Sequence, residues 1–135
     1  MALVDTSAWI EYFRRTESVV HRRLRELIVS DGSIAVSQPI LMELLAGARD
    51  DADEARMRTL TGPFDLLPFD PDIDFEAAAL IKRRCRARGL TVASVDCMIG
   101  SVAIRYEAAV LSADLDFARI ASVVPLELDP ATPRD

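Results

Sequence analysis

ALVDTSAW, residues 2–9, is the stretch that decides the fold, because it joins an apolar run to an acid and then to a helical pattern. Ala2–Val4 predicts a short buried strand that ends at Asp5. Thr6 or Ser7 can cap the helix that follows. A buried strand that runs directly into a helix is typical of a parallel sheet with helices packed on its faces.

The rest of the chain repeats this alternation of short apolar strands and helices. Further strands are predicted at 33–37, 64–69 and 109–111, with a fifth at 125–128. The predicted helices cover 18–29, 39–46, 52–60, 75–88, 95–106 and 115–121. This order predicts an α/β fold in which helices cover both faces of a central parallel sheet of about five strands.

Length and composition favour one globular domain. A chain of 135 residues can bury roughly two thirds of its unfolded surface, and we assign residues 1–130 to the domain and 131–135 to a short C-terminal tail. No apolar stretch approaches the ~20 residues of a membrane helix, and the first residues lack the pattern of a signal peptide. Cys85 and Cys97 form no metal-binding motif, so we expect reduced thiols and a cytoplasmic protein.

The scarcity of histidine and lysine narrows the chemistry. His21 is the only histidine, which excludes a nuclease that uses a histidine pair for acid–base catalysis. Lys82 is the only lysine, so a phosphotransfer or receiver domain has no well-placed lysine. The net charge of −6 does not exclude a phosphate substrate, because bound divalent cations would offset part of it.

Five acidic residues from separate segments are predicted to converge at one edge of the sheet. Asp5 ends the first strand, and Asp114 and Asp116 follow the fourth. Glu43 lies one turn into the helix after the second strand, and Asp96 lies in the first turn of a later helix. Because the carboxyl ends of parallel strands face the same edge, these side chains can meet there.

A group of carboxylates needs a cation to offset the repulsion between its charges. Mg²⁺ prefers oxygen ligands, and a pair of ions ~3.5–4 Å apart can assist phosphodiester hydrolysis without histidine or lysine. We therefore predict Asp5, Glu43, Asp96 and Asp114 as metal ligands. Asp116 is a catalytic candidate that capping of the helix at 117 would also explain.

Two hydroxyl residues and a basic cluster are weaker candidates. Thr6 and Ser112 lie near strand ends, where they can hold ligand waters or orient the carboxylates. Arg84, Arg86 and Arg88 crowd the end of a long helix, beside the loop that leads to the predicted helix at 95–106. We expect these arginines to contact the phosphates of a nucleic-acid substrate; the alternative is a solvated helix end whose positive charges suit the helix dipole.

Four short motifs carry a resemblance to a known family. They are Val4–Trp9, Met42–Gly47, Ser94–Ile99 and Ser112–Phe117, and their order and spacing span nearly the whole chain. The chain resembles PIN-domain ribonucleases and, within them, the VapC toxins of bacterial toxin–antitoxin pairs. It departs from them slightly at Ser112, where a threonine is common.

The resemblance implies a PIN-domain-like three-layer α/β/α fold and Mg²⁺-dependent endonucleolytic cleavage of RNA, with Mn²⁺ as a substitute. It implies Asp5, Glu43, Asp96 and Asp114 as core acids, with Asp116 as an accessory. It also implies a homodimer that a cognate antitoxin neutralises, in a heterotetramer or larger complex. The competing prediction is a catalytically inactive PIN-like module that only binds RNA or protein, against which stands the presence of every expected acid.

Overall fold

The computed structural model describes residues 1–135 as four strands and seven helices. The strands are β1 (Ala2–Val4), β2 (Ile34–Val36), β3 (Asp65–Leu66) and β4 (Ala109–Leu111). The helices are α1 (Thr6–Phe13), α2 (Val19–Val29), α3 (Gln38–Ala46), α4 (Asp51–Thr61), α5 (Asp74–Ala87), α6 (Ser94–Arg105) and α7 (Asp116–Ala121). None of these helices has the length and apolar character needed to cross a membrane.

The strands form one parallel sheet in the order β3-β2-β1-β4, which confirms the predicted α/β fold. β1 is central: Ala2 pairs with Ile34 of β2, and Leu3 pairs with Val110 of β4. All three residues of β1 are buried, although successive side chains of a strand point to opposite faces. Helices therefore cover both faces of the sheet, and its carboxyl edge carries Asp5.

The predicted fifth strand at 125–128 is reduced to a single bridge between Leu128 and Val110 of β4. The Val110 N–H and carbonyl oxygen make backbone hydrogen bonds of 3.0 and 2.9 Å to the residues on either side of Leu128. Pro125 and Pro130 flank this bridge, and proline has no N–H with which to extend a ladder. The sheet therefore has four strands rather than about five.

Thr132 packs against the end of β4, within the segment expected to be a tail. Its side chain is buried, and its hydroxyl donates to the Val110 carbonyl oxygen at 2.7 Å and accepts from the Ser112 N–H at 3.1 Å. A side chain thus replaces a neighbouring strand as the partner of the Ser112 N–H. Arg23 of α2 holds this segment through a two-pronged hydrogen bond to Asp129, 3.1 Å for each prong.

A buried ion pair ties α5 to α6. Asp74 is fully buried, and its carboxylate accepts hydrogen bonds from the Arg105 guanidinium at 2.6 and 3.2 Å. The Ser101 hydroxyl donates to the same carboxylate at 3.1 Å. Because a buried carboxylate is costly without its partners, this pair should contribute strongly to the stability of the helical layer.

We expect Arg105→Met to lower the free energy of unfolding by about 3 kcal/mol, because it leaves the Asp74 carboxylate buried without its cation. Urea denaturation measures this difference. Arg84→Met is the matched control, since Arg84 is exposed and makes no ion pair, and its effect should stay within about 0.5 kcal/mol. Equal effects of the two substitutions would show that the pair does not stabilise the fold.

Candidate active site

Asp5 follows β1 and is surrounded by hydroxyl groups. Its Oδ2 accepts hydrogen bonds from the Ser7 hydroxyl at 2.7 Å and the Ser112 hydroxyl at 2.9 Å. Its Oδ1 is buried and has no hydrogen-bond partner. Burial raises the pKa of Asp5 above its usual value, while the hydrogen bonds from the serines oppose that rise. An unpartnered buried carboxylate oxygen at a sheet edge fits a cation ligand.

Ser7 and Ser112 connect β1 to β4 beside Asp5. Their hydroxyl oxygens lie 2.9 Å apart, and each also accepts a backbone N–H: Ser7 from Ala113, and Ser112 from Asp114, both at 2.9 Å. The two serines therefore fix the backbone that carries Asp114 relative to Asp5. Sequence reasoning identified Ser112 but not Ser7, whose hydroxyl had an ordinary explanation as a helix cap.

Asp96, Asp114 and Asp116 form an acidic cluster in which each carboxylate has an oxygen within 4.8 Å of the others. Asp96 is buried in the first turn of α6, whereas Asp114 is exposed. Burial raises the pKa of Asp96 to about 9, with further contributions from its hydrogen bond to Asp116 and from the charges of Asp5 and Asp114. Burial, together with the neighbouring carboxylates, therefore favours the protonated form of Asp96 where no cation compensates the charge.

Asp116 joins the acidic cluster to two neighbouring segments. Its Oδ2 accepts from the Ala93 N–H at 3.0 Å, and its Oδ1 accepts from Arg119 at 2.7 Å. Burial alone would raise the pKa of Asp116, but hydrogen bonds from Asp96, Ala93 and Arg119 hold it below the usual value. Leu115, not Asp116, is the N-cap of α7, so helix capping does not explain this acid.

Lys82 holds the loop that leads to Asp96. Its Nζ donates to the Val92 carbonyl oxygen at 3.1 Å and to the Ser94 hydroxyl at 2.8 Å. The residue between these two partners, Ala93, is the one whose N–H bonds to Asp116 from the other side. The single lysine thus positions the start of α6, a role that sequence spacing did not reveal.

Glu43 lies on α3 and is linked to the residue after Asp5. The Thr6 hydroxyl donates to Glu43 Oε1 at 2.7 Å. Glu43 is half-buried and lies outside the group of three carboxylates that are within 4.8 Å of one another. The structure therefore brings Asp96, Asp114 and Asp116 together and places Asp5 close enough for its charge to affect Asp96. Glu43 lies outside this acidic cluster, and the Thr6 hydroxyl fixes its position.

The three arginines predicted to contact RNA lie at the C-terminal end of α5. Arg84 and Arg86 are in its last turn, and Arg88 is the C-cap residue. All three are exposed, and their side chains make neither a hydrogen bond nor an ion pair. Their charges are therefore free to meet an anion, and contact with RNA stays a prediction.

A family match covers most of the chain: the model of the PIN domain matches residues 2–123. The chain belongs to the PIN domain family. This PIN domain is 43% identical over 129 residues to VapC ribonuclease Mb1587 of Mycobacterium bovis and to ribonuclease VapC11 of Mycobacterium tuberculosis. Each alignment covers 94% of this chain and 96% of the relative. The family predicted from the four sequence motifs is confirmed.

A solved structure confirms the fold of this PIN domain. VapBC2 from Rickettsia felis, solved with a DNA fragment from its promoter, contains a chain that superposes with a TM-score of 0.76 at 16% identity. The superposition covers 95% of this PIN domain and 96% of that chain. The four-stranded parallel sheet and its flanking helices are thus the architecture seen in a VapC-containing complex.

The acidic cluster of this PIN domain fits a divalent metal ion. Its candidate ligands are all carboxylate oxygens, which hard divalent cations prefer. The free Oδ1 of Asp5 offers a further ligand, and the raised pKa of Asp96 shows that a second negative charge is unfavourable there without a cation. A divalent cation would relieve both, which is why these acids can remain together without unfolding the sheet edge.

Proposed function

We propose that the chain is a Mg²⁺-dependent endoribonuclease that hydrolyses phosphodiester bonds of RNA and acts as the toxin of a toxin–antitoxin system. The observation that carries this is the acidic cluster Asp96, Asp114 and Asp116 beside the unpartnered Asp5 oxygen. It lies in a PIN domain that is 43% identical to proteins named VapC ribonucleases. The oxygen-only ligand set supports Mg²⁺ as the metal, with Mn²⁺ as a substitute.

The chain's own residues have separate tasks in this mechanism. Asp5, Glu43, Asp96 and Asp114 would hold the metal, which when bound stabilises the negative charge that develops on the phosphate oxygens during hydrolysis. Ser112 orients Asp5 through the hydrogen bond to Oδ2. Asp96, whose pKa burial and its hydrogen bond to Asp116 raise, would release its proton to solvent where a cation compensates its charge, and Asp116 would stay ionised because its pKa is held below the usual value.

Three hydrogen bonds hold the acids in place for this task. Thr6 fixes Glu43 through its hydroxyl, and Ser112 fixes Asp5. Asp116 anchors the backbone just before α6 through the Ala93 N–H. Pre-orientation of this kind matters because carboxylates that must rearrange on binding lose part of the stabilisation they give to the reacting phosphate.

We also propose that a cognate antitoxin protein neutralises the enzyme in the cytoplasm. Support comes from the similarity to proteins named VapC and from the solved VapBC complexes of Rickettsia felis and Salmonella typhimurium, which share the fold. We expect a homodimer in the absence of the antitoxin and a heterotetramer or larger complex with it. Sedimentation of the purified chain, alone and with the antitoxin, measures both states.

Purified chain, free of antitoxin, should cleave structured RNA in Mg²⁺. EDTA should lower the rate by at least ~10²-fold, because the cation supplies several kcal/mol of transition-state stabilisation, and excess Mg²⁺ should restore it. Fragment 5′ ends mapped by primer extension give both the rate and the cleavage site. Cleavage that persists in EDTA would contradict the metal mechanism. RNA binding without cleavage in Mg²⁺ or Mn²⁺ would favour the inactive module.

The exposed arginines at the end of α5 are the proposed guide for RNA. Substitution of Arg84, Arg86 and Arg88 by glutamate should lower kcat/KM. It should also reduce the slope of log affinity against log salt by about one for each phosphate contact that is lost. Arg22→Glu on α2 is the control, because Arg22 is exposed but lies in another basic group. Unchanged cleavage and an unchanged salt slope in the triple variant would show that these arginines do not contact the RNA.

A further inference from the structure

A cavity of about 310 Å³ opens between α1, α3 and α4, directly beside Glu43. Three arginines, Arg14, Arg49 and Arg56, line it together with Phe13. None of these residues belongs to the acidic cluster, and none was selected from the sequence. The cavity therefore adds a basic, partly aromatic pocket next to a predicted metal ligand.

The charges around the cavity leave an excess of positive charge. Arg14 is exposed, and its guanidinium makes neither a hydrogen bond nor an ion pair. Arg49 and Arg56 share one carboxylate, that of Asp53, at 3.6 and 3.4 Å. Two guanidinium groups thus divide one negative charge over distances at the outer limit of a hydrogen bond, and a third has no partner. Such groups favour an anion with several oxygens, such as a phosphate.

The apolar wall of the cavity suits a nucleobase. The Phe13 ring is held in place by stacking against the buried Trp9 ring, with centroids 5.8 Å apart and an angle of 27°. The Arg56 guanidinium lies 5.6 Å from the Phe13 ring centre. Aromatic rings and guanidinium planes are the surfaces on which proteins stack unpaired RNA bases.

The position of the cavity connects it to the reaction. Glu43 borders the cavity and is also bound by Thr6, the residue after Asp5. An RNA strand whose scissile phosphate lies at the acidic cluster must continue away from it, and a basic cavity beside Glu43 offers the next nucleotide a place. In the groove between α5 and α6, by contrast, the exposed Phe75 ring packs edge-on against Phe69, and no arginine guanidinium lies over it.

We propose that this cavity binds the nucleotide next to the scissile phosphate of a single-stranded RNA segment. Arg14 and Arg49 contact its phosphate, and its base stacks on the Arg56 guanidinium, which lies over the Phe13 ring. The proposal rests on the proposed ribonuclease function and names a substrate contact that this function requires. It assigns base stacking, not only charge, to the face formed by α1, α3 and α4.

Binding of labelled oligoribonucleotides to an Asp96→Asn background, in which we expect cleavage to be at least ~10²-fold slower, tests the contact to phosphate. Arg14→Gln and Arg49→Gln should each weaken binding, and the two together should reduce the slope of log affinity against log salt by about 0.7, the value for one phosphate of a single strand. Arg22→Gln, an exposed arginine on α2, should change neither. In the cleaving protein, the same two substitutions should raise KM several-fold and leave kcat nearly unchanged.

A second measurement tests the contact to the base. The parent protein should bind an RNA better than the same strand with one abasic position beside the cleavage site. Arg56→Gln should remove that preference, a ratio that does not depend on how much of the variant is folded. Persistence of the preference in Arg56→Gln would overturn the stacking contact.

The outcomes separate the cavity from the wider function. If the parent binds and cleaves RNA but Arg14→Gln and Arg49→Gln bind it equally well, the cavity proposal is wrong and the ribonuclease stands. If the parent neither binds nor cleaves RNA, both are wrong. Arginine-dependent binding of an acidic oligopeptide, with RNA binding unaffected, would overturn the proposal in favour of a protein partner.

Discussion

Asp96→Asn is expected to reduce RNA cleavage by at least ~10²–10³-fold while the fold persists. Asp96 is the most buried acid of the cluster, and its pKa is raised to about 9 by burial and by neighbouring carboxylates. The Asn side chain has the same shape as Asp but no negative charge, so it cannot neutralise a bound cation. Because the substitution also removes charge repulsion, the free energy of unfolding at alkaline pH should be equal or higher, the usual trade-off at a functional site.

Single-turnover cleavage of a defined RNA measures the loss, and urea denaturation measures stability. Asp5→Asn should match Asp96→Asn, whereas Asp116→Asn should cost only about 10–100-fold, because Asp116 acts on Ala93 and on Asp96. Asp65→Asn, an exposed acid on β3, is the control. Retention of full activity by Asp96→Asn would remove the acidic cluster from the mechanism.

Mg²⁺ is expected to raise Tm by a larger amount at pH 9 than at pH 6. Burial first, and then neighbouring acids, raise the pKa of Asp96 to about 9, and burial raises the pKa of Asp5. Groups with a raised pKa stabilise the fold below their unfolded pKa, and this contribution is lost as pH rises through the folded value. The metal-free protein should therefore lose stability between pH 6 and pH 9.

The cation must displace the proton of Asp96, so its affinity should rise about tenfold per pH unit while that proton is released. The Tm gained with Mg²⁺ should consequently grow by about 3–6 °C per pH unit. Thermal unfolding with and without excess Mg²⁺ across this range gives the curve. In Asp96→Asn the gain should be small and flat, and a flat curve in the parent would mean that no proton is exchanged for metal.

The elements around the site were predictable because their signals are local. The strand that ends at Asp5 and the helix that carries Asp96 are both signalled by the pattern of apolar residues within a few positions. The parallel sheet then places their carboxylates at one edge without further information. The strand predicted at 125–128 is only a single bridge in the structure. Its alternating apolar residues favour a strand, but Pro125 and Pro130 lack the N–H groups that would extend the pairing.

The supporting residues were not predictable in the same way. Ser7 meets Ser112 across more than 100 positions of the chain, and Lys82 reaches Ser94 across a loop. Such contacts depend on the packed arrangement of helices, and any serine or lysine on a surface segment has an ordinary local explanation. The sequence could therefore identify the acids, but the groups that hold them in place became apparent only in three dimensions.

The hydroxyl of Thr132 has a practical consequence for handling the protein. It holds the Ser112 N–H, and the Ser112 side chain in turn bonds to Asp5. A chain shortened after Pro130 would keep Asp5, Asp96, Asp114 and Asp116 and still lose a support of the catalytic centre. A purification tag appended after Asp135 retains Thr132, so we expect additions at this end to reduce activity less than trimming.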